Sequence, residues 1–202
     1  MIYDPLYAGW YYSHIDILNF EEIRLELVKL NASKIQSYQT NADYYNLSAA
    51  RIREYGCPKL FSYLDSVGLS QKFQRILFST NINRTNVVHV DGFNPVTRCH
   101  FSLNLPIIDC EDSYTAFYHY PGKDLHYNPS TYNHYAYMGM DKVTELARVE
   151  VSKPVLVNTT ILHRGICKTP TRTIAALRFT SPLTVDDMRR LGIKNPLVQE
   201  DV

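Results

Sequence analysis

Apolar residues in the first third of the chain recur at a helical spacing. In the segment FEEIRLELVKL, apolar side chains return every three or four residues, and Asn19 precedes the segment as a helix-capping residue. Two shorter helices are predicted over NLSAARIREYG, which ends at Gly56, and over PKLFSYLDSVG, which begins at Pro58 and ends at Gly68. We therefore expect residues 1–72 to form a helical layer that supports the rest of the chain.

The pattern changes at Gln74, where short runs of apolar and β-branched residues begin to alternate with turn residues. Eight strands are predicted, over QRILFST, NVVHVD, CHFSLNLPII, SYTAFYHY, KVTELARVEV, KPVLVN, TILHRGIC and TRTIAALRFT. Because no helical segment separates them, the pattern favours two antiparallel sheets over a parallel sheet. The common arrangement of eight such strands is the double-stranded β-helix, a jelly roll or cupin-like barrel.

We expect one domain over residues 1–202, because a chain of 202 residues can bury a sizeable core as a single β-rich unit. The predicted fold class is α+β, with the jelly-roll core over residues 73–181. Residues 182–202 are a predicted tail, in which Thr184 can cap a short peripheral helix. A long insertion, from Tyr120 to Asp141, separates the fourth and fifth strands, and loops of this length commonly carry function.

Composition indicates an ordinary soluble globular protein, with 45% hydrophobic and 20% charged residues. The formal net charge of +1 gives no general electrostatic reason to bind nucleic acid, so a nucleic-acid partner is not expected. No segment has the length of a membrane span and the first residues do not resemble a secretion signal, so we expect no membrane association and a cytoplasmic location. The cysteines lack zinc-type spacing and are expected to be free thiols: Cys57, Cys99, Cys110 and Cys167.

Polar residues interrupt the apolar pattern of two predicted strands. In VVHVDG, His89 and Asp91 are two residues apart, so their side chains point to the same face of a strand. In TTILHRG, apolar residues flank His163 in the seventh predicted strand, which can lie beside the second strand in a jelly roll. Two histidines and one carboxylate on one side of a metal are the ligand set of many non-haem iron(II) enzymes, and zinc can use similar ligands.

These segments resemble the motif of the 2-oxoglutarate and iron(II)-dependent dioxygenases. That motif is His-x-Asp, a long gap, a second His and an Arg about ten residues later, built around the two-histidine, one-carboxylate triad. HVDG, LHRG and TRTIAALRF carry the resemblance, which covers residues 75–181. The chain lacks the Arg-x-Ser signature of several branches with small-molecule substrates, and SLNLPI followed by TAFYHY is more similar to small bacterial and phage oxygenases.

The resemblance implies that iron(II) is bound by His89, Asp91 and His163, with 2-oxoglutarate as cosubstrate and O2 as oxidant. It also implies that Arg172 pairs with the distal carboxylate of 2-oxoglutarate. The expected reaction is hydroxylation of a C–H bond with release of succinate and CO2. The catalytic and metal-binding residues are thus the same three side chains, and Arg172 belongs to the cosubstrate site.

Arg172 also fits an anion site on chemical grounds. It lies nine residues after His163 and opens the eighth predicted strand, so it can enter the same cavity from the facing sheet. Its planar guanidinium matches a carboxylate. Asn104 and Tyr118, on middle strands, are candidates for hydrogen bonds to the cosubstrate. Arg178 shares the strand face of Arg172 and is the alternative anion contact, unless it forms a salt bridge at the far end of the barrel.

The substrate, a small molecule or a peptide, and the oligomeric state are left open by the sequence. The insertion is either a lid that grips the substrate or a surface flap packed by its own rings, and its tyrosines are Tyr120, Tyr127, Tyr132, Tyr135 and Tyr137. Two other functions fit the same ligands or the same fold. One is a cupin-type metal-dependent isomerase or hydrolase, in which Arg172 has no defined task, and the other is a metal-free jelly-roll binding module.

Overall fold

The computed structural model describes residues 10–33, 38–41, 44–80, 87–91, 100–122, 126–128 and 135–194. Its α-helices are α1 (Phe20–Ala32), α2 (Ala49–Tyr55), α3 (Pro58–Ser66) and α4 (Val185–Arg190), with a short 3-10 turn at Met140–Lys142. All four predicted helices are confirmed. The Ser48 side chain caps α2 by accepting a hydrogen bond from the backbone N–H of Arg51, and Gly56 ends this helix with a positive φ of 90°.

Thirteen strands lie within the described residues. They are β1 (Tyr12–His14), β2 (Tyr38–Asn41), β3 (Tyr44–Ser48), β4 (Phe73–Thr80), β5 (Val87–Asp91), β6 (Phe101–Ile108), β7 (Tyr114–His119), β8 (His126–Asn128), β9 (Tyr135–Gly139), β10 (Thr144–Glu150), β11 (Val155–Asn158), β12 (His163–Ile166) and β13 (Thr173–Phe179). The eight predicted strands are confirmed as β4 to β7 and β10 to β13. The other five strands were not predicted.

The strands form two sheets in which every pairing is antiparallel. The seven-stranded sheet has the order β1-β11-β6-β13-β4-β3-β2, and the six-stranded sheet has the order β10-β7-β12-β5-β9-β8. With its few helices, the protein therefore has an α+β fold built on two antiparallel sheets.

The first 72 residues are not purely helical, which corrects the prediction for this part of the chain. They supply β1, β2 and β3 to the seven-stranded sheet, and β3 pairs along its whole length with β4. Tyrosine favours strands, and pairing with β3 satisfies the backbone groups on one side of β4. A strand that depends on a partner elsewhere in the chain leaves only a weak local pattern in its own sequence.

Three apolar clusters define the layers. The largest packs the helices against one face of the seven-stranded sheet and includes Leu27, Leu64, Leu103 and Leu177. The second lies between the two sheets and contains Phe117, Val149, Val155, Val157 and Ile174. The third, on the other face of the six-stranded sheet, contains Val88, Ala116, Tyr118 and Leu162. We call the faces that the two sheets turn toward each other the inner faces.

The C-terminal helix α4 is capped as predicted but is not peripheral. Thr184 and Asp187 form a reciprocal capping box at its start. The Asp187 carboxylate is fully buried and also pairs with Lys72 and Arg190, while Met188 of the same helix is completely buried. The prediction of a peripheral tail is therefore wrong for this helix, because the Lys72–Asp187 pair, the hydrogen bond from Arg190 Nε to the Val67 carbonyl and the burial of Met188 hold it against the rest of the chain.

Three of the four cysteines, Cys57, Cys110 and Cys167, are buried free thiols, as expected. Cys99 lies outside the described residues. Within the described part of the chain, the helices are too short or too polar to cross a lipid bilayer.

Candidate functional site

The pairing of β5 with β12 brings the predicted metal ligands together. His89 lies directly opposite His163 in this antiparallel pair. Residues directly opposite each other point to the same face, and Asp91, two residues along β5, points to that face as well. The centroids of the two imidazole rings are 4.5 Å apart. The expectation that the second and seventh predicted strands are neighbours is thus confirmed.

Distances within this group suit a shared metal ion. The Nε2 atom of His89 lies 3.7 Å from Oδ1 of Asp91, and the Nε2 atom of His163 lies 3.8 Å from Oδ2 of the same carboxylate. One ligand atom from each residue falls within 4.8 Å of the other two. Two atoms bonded to one metal at about 2.1 Å are at most about 4.2 Å apart. The three side chains can therefore hold a metal after small rotations.

The hydrogen bonding of His163 fixes which of its nitrogens faces the group. Its Nδ1 lies 2.8 Å from the carbonyl oxygen of Ile161, which can only accept a hydrogen bond. Nδ1 therefore carries the proton, and the lone pair of Nε2 points toward Asp91. A backbone carbonyl that orients the ligand tautomer in this way is a common partner of metal-binding histidines.

Protonation states at neutral pH also favour metal binding. Burial and the neighbouring His89 lower the pKa of His163 to about 4. Burial also lowers the pKa of His89 and outweighs the opposing effect of Asp91, while Arg178 adds a smaller lowering contribution. Burial alone would raise the pKa of Asp91, but Arg178 and the two histidines lower it below the usual range. The site thus combines two neutral imidazoles with an ionised carboxylate.

Arg178 is a further member of the site. It lies on β13 of the facing sheet, and its Nη1 atom is 2.7 Å from Oδ2 of Asp91. The sequence predicts Arg178 on the face of Arg172, either as an anion contact or in a salt bridge at the far end of the barrel. The partner is instead the candidate metal ligand. The spacing from Arg172 predicted the face, but no signal in the sequence identified the carboxylate.

Arg172 lies at the other end of the same inner face and is only 3% exposed. Its Nε donates to the Ser113 hydroxyl at 3.0 Å and its Nη1 donates to the Ser79 hydroxyl at 3.3 Å. Burial lowers its pKa, and the nearest groups that oppose this effect are thiols and a phenol, from Cys110, Cys167 and Tyr44. Among the described residues, no carboxylate pairs with Arg172.

The register of the six-stranded sheet gives the span from the metal group to Arg172. Phe117 of β7 lies directly opposite His163, and Ser113, which binds Arg172, is four residues back along the chain. Four residues of extended chain correspond to about 13 Å. Because the Arg172 guanidinium already reaches Ser113, a ligand that joins it to the metal group has to cover most of this length itself.

Asn104 points to the inner face of the seven-stranded sheet. It lies opposite Ala176 of β13, on the same face as the pair formed by Ser102 and Arg178. The Ser102 hydroxyl donates to Oδ1 of Asn104 at 2.7 Å. This contact orients the amide nitrogen as the remaining donor, so the predicted position of Asn104 between the sheets agrees with the structure.

Tyr118 lies on the wrong face for the role predicted for it. Its neighbour Phe117 is the residue opposite His163, so Tyr118 points to the opposite, outer face of the six-stranded sheet. There it packs with Val88 and Leu162 and contacts the Glu145 side chain. The correction follows from strand alternation, because the pairing register, which the sequence did not reveal, decides which neighbour points inward.

The described part of the insertion from Tyr120 to Asp141 contributes two strands, β8 and β9, to the six-stranded sheet. Its strands β8 and β9 form an antiparallel pair, and β9 pairs with β5 beside the metal group. Tyr120 and Met140, near its two ends, pack against the outer face. Tyr132 lies outside the described residues. The described part of the insertion therefore extends the wall of the site.

The two histidines of the metal group differ in exposure. The His163 side chain is 8% exposed, whereas the His89 side chain on the next strand is 32% exposed. Exposure thus increases from β12 to β5, so the group is accessible to solvent at His89.

Comparison with known proteins adds no family assignment. No protein-family model matches the chain, and no curated protein sequence matches it either. The function is therefore inferred from the residues of the site and their geometry.

Proposed function

We propose that this protein is a non-haem iron(II) and 2-oxoglutarate-dependent dioxygenase that hydroxylates a C–H bond and releases succinate and CO2. One observation carries the proposal. A two-histidine, one-carboxylate group and a buried arginine without a carboxylate partner among the described residues share the inner space between two antiparallel sheets. We further propose that the two sheets form a double-stranded β-helix within a single domain of residues 1–202.

The ligand set supports iron(II). Two imidazoles and one carboxylate on one side of a metal leave adjacent positions open, which is the arrangement of non-haem iron(II) oxygenases. When bound, the iron and its cosubstrate supply the oxidative chemistry. The protein orients the ligands: the Ile161 carbonyl holds the tautomer of His163, and Arg178 holds the carboxylate of Asp91. Zinc accepts similar ligands, so the three ligands alone do not distinguish iron(II) from zinc. The proposal of iron(II) therefore also depends on Arg172, which is suited to bind the 2-oxoglutarate cosubstrate.

Arg172 supports a dicarboxylate cosubstrate. A buried guanidinium is costly to desolvate, and hydroxyl groups offset its charge only in part. The distal carboxylate of 2-oxoglutarate would supply the missing negative charge through a bidentate contact. Arg178 is less suited to this task, because Asp91 already neutralises it. In a cupin-type isomerase or hydrolase, the buried charge of Arg172 would have no comparable purpose.

Asn104 has a supporting role in this proposal. With its amide oxygen engaged by Ser102, its amide nitrogen can donate to a bound anion on the inner face. The surrounding apolar residues, among them Phe117 and Ile174, exclude water from the space between the sheets.

The test is the visible charge-transfer band of an iron(II)–2-oxoglutarate complex. Iron(II) and 2-oxoglutarate are added together and separately to the protein without oxygen, and a weak visible band is expected only when both are present. His163→Ala should lose the band together with metal binding, as measured by calorimetry. Arg172→Met should keep metal binding and require more 2-oxoglutarate for the same band.

Two other results would contradict the proposal in different ways. Metal binding without a band that depends on both components would favour the isomerase or hydrolase. A chain that binds neither iron(II) nor 2-oxoglutarate would favour a metal-free binding module. Circular dichroism of each variant checks that the fold is retained, since ligand truncation leaves the apolar clusters intact.

A further inference from the structure

A row of paired residues crosses the six-stranded sheet at the level of the candidate metal group. His163 on β12 lies opposite His89 on β5, His89 lies opposite Tyr137 on β9, and Tyr137 lies opposite His126 on β8. Directly paired residues point to the same face of a sheet. The two imidazoles of the metal group therefore continue, on the inner face, into the side chains of Tyr137 and His126.

The two residues of this row that lie farthest from β12, Tyr137 and His126, form an aromatic pair. The ring centroids of His126 and Tyr137 are 5.4 Å apart, with an angle of 35° between the ring planes. This separation lies in the range of interacting aromatic rings. The pair is supplied by the insertion that follows β7, so it is built onto the sheet beside β5 by strand pairing.

Exposure rises along the row in one direction. His163 is buried, His89 and Tyr137 are partly exposed, and His126 is exposed. The row therefore runs from the exposed His126, through Tyr137, to the histidines of the candidate metal group. A molecule bound at Tyr137 lies beside His89.

We propose that Tyr137 and His126 form the substrate subsite, and that the substrate carries a flat aromatic or heteroaromatic ring that stacks against this pair. The inference rests on the proposed oxygenase function. Neighbouring strands are about 4.8 Å apart, so a ring held on Tyr137 has its edge or its nearest substituent about one strand spacing from His89. Aromatic rings favour a flat partner over a puckered one of the same size by about two- to tenfold in affinity, the equivalent of 0.5–1.5 kcal/mol.

The test compares two neutral probes that differ in the shape of the ring. Saturation-transfer NMR measures the binding of benzamide and of cyclohexanecarboxamide to the protein without metal or 2-oxoglutarate. We expect benzamide to bind about two- to tenfold more tightly. Tyr137→Leu should remove this preference, Tyr137→Phe should retain it, and His126→Ala should reduce it. Tyr55→Leu, a change of a partly exposed tyrosine on α2, is the matched control and should leave the preference intact.

Equal affinity for the two probes in the unaltered protein would overturn the subsite, and this measurement does not depend on the folding of any variant. A preference that survives both Tyr137→Leu and His126→Ala would overturn it as well. Because the probes are tested without iron, the result is separate from the charge-transfer experiment. If the charge-transfer band forms but benzamide is not preferred, the subsite proposal is contradicted and the oxygenase proposal stands. If benzamide is preferred but no band forms, only the oxygenase proposal is contradicted.

Discussion

Arg172 directly precedes β13 and Arg178 lies near the end of this strand, six residues away and on the same inner face, yet their surroundings differ. The Arg178 guanidinium is 2.7 Å from the carboxylate of Asp91. Arg172 is more deeply buried but donates only to the hydroxyls of Ser113 and Ser79. The charge of one arginine is neutralised within the protein, and the charge of the other is not.

With the proposed function, this difference separates a structural cation, Arg178, from a cation that binds a ligand, Arg172. A buried ion pair is strongly destabilised when one partner is removed, because the other charge remains without compensation. A buried cation without an anionic partner already carries that cost, so its replacement by an apolar side chain of similar size costs little. Stability and ligand affinity should therefore respond in opposite ways to the same substitution at the two positions.

Arg178→Met should have the largest effect on stability. It leaves the Asp91 carboxylate without its main partner, so the free energy of unfolding should fall by about 3 kcal/mol. Urea unfolding at neutral pH measures the change. The double variant with Asp91→Asn is the control, and it should recover part of the loss because no charge is left unpaired. If the free energy of unfolding of the single variant falls by less than about 1 kcal/mol, Arg178 is not the structural partner of Asp91 that the comparison requires.

Arg172→Met should mainly weaken the binding of 2-oxoglutarate. The affinity for 2-oxoglutarate should fall by about ten- to a hundredfold, since a charge-assisted contact is worth about 1.5–3 kcal/mol. Iron(II) affinity should hardly change, and the free energy of unfolding should fall by no more than about 1 kcal/mol. Titration of the charge-transfer band and urea unfolding measure the two quantities. If Arg178→Met raises the 2-oxoglutarate concentration needed for the band and Arg172→Met does not, Arg178 is the residue that binds 2-oxoglutarate.

The histidines beside Asp91 predict how stability depends on pH. The folded pKa of His163, about 4, lies below its unfolded value of about 6.5, so between these values the unfolded chain binds more protons. The metal-free protein should therefore lose about 2 kcal/mol between pH 7 and pH 5. Urea unfolding at both pH values measures this loss. His163→Asn, which cannot titrate, should show a smaller loss, and an equal loss in both proteins would contradict the assignment.

Tyr118→Phe should have the smallest effect and tests the opposite face of the same sheet. It removes a hydroxyl that contacts Glu145 and leaves the packing with Val88 and Leu162 unchanged. We expect a stability change of about 1 kcal/mol or less and no change in the 2-oxoglutarate requirement. Asn104→Ala, on the inner face, is the matched comparison and should raise that requirement. A raised requirement in Tyr118→Phe would return this residue to the site.

Local patterns predicted the eight strands β4 to β7 and β10 to β13, because side chains alternate strictly along a strand and turn residues separate the short apolar runs. The neighbouring positions of His89 and His163 were predicted from the strand order of the expected jelly roll. The cap at Thr184 was predicted for the same reason, because a capping box is encoded within four residues.

Other features depended on partners that are distant in the chain. The strands β3 and β9 acquire their conformation by pairing with β4 and β5, so their own segments carry weak signals. The face of Tyr118 depends on a register that a single residue of slippage would invert. The contact between Arg178 and Asp91 joins two sheets, and no spacing within either strand specifies it.

The two strands that carry the site differ in how firmly they are held. β13 is central in its sheet, buried along its whole length and paired with β4 and β6 over seven and six residues. β5 pairs with β12 at the single position of His89 and His163, donates one backbone hydrogen bond from Asp91 to the Thr159 carbonyl, and otherwise depends on the hairpin strand β9. Backbone amides of β5 should therefore open and exchange with solvent at a lower free-energy cost than those of β13. The arginine proposed to receive the cosubstrate directly precedes this firmly held strand, whereas two of the three proposed metal ligands stand on a strand that a bound metal would help to order.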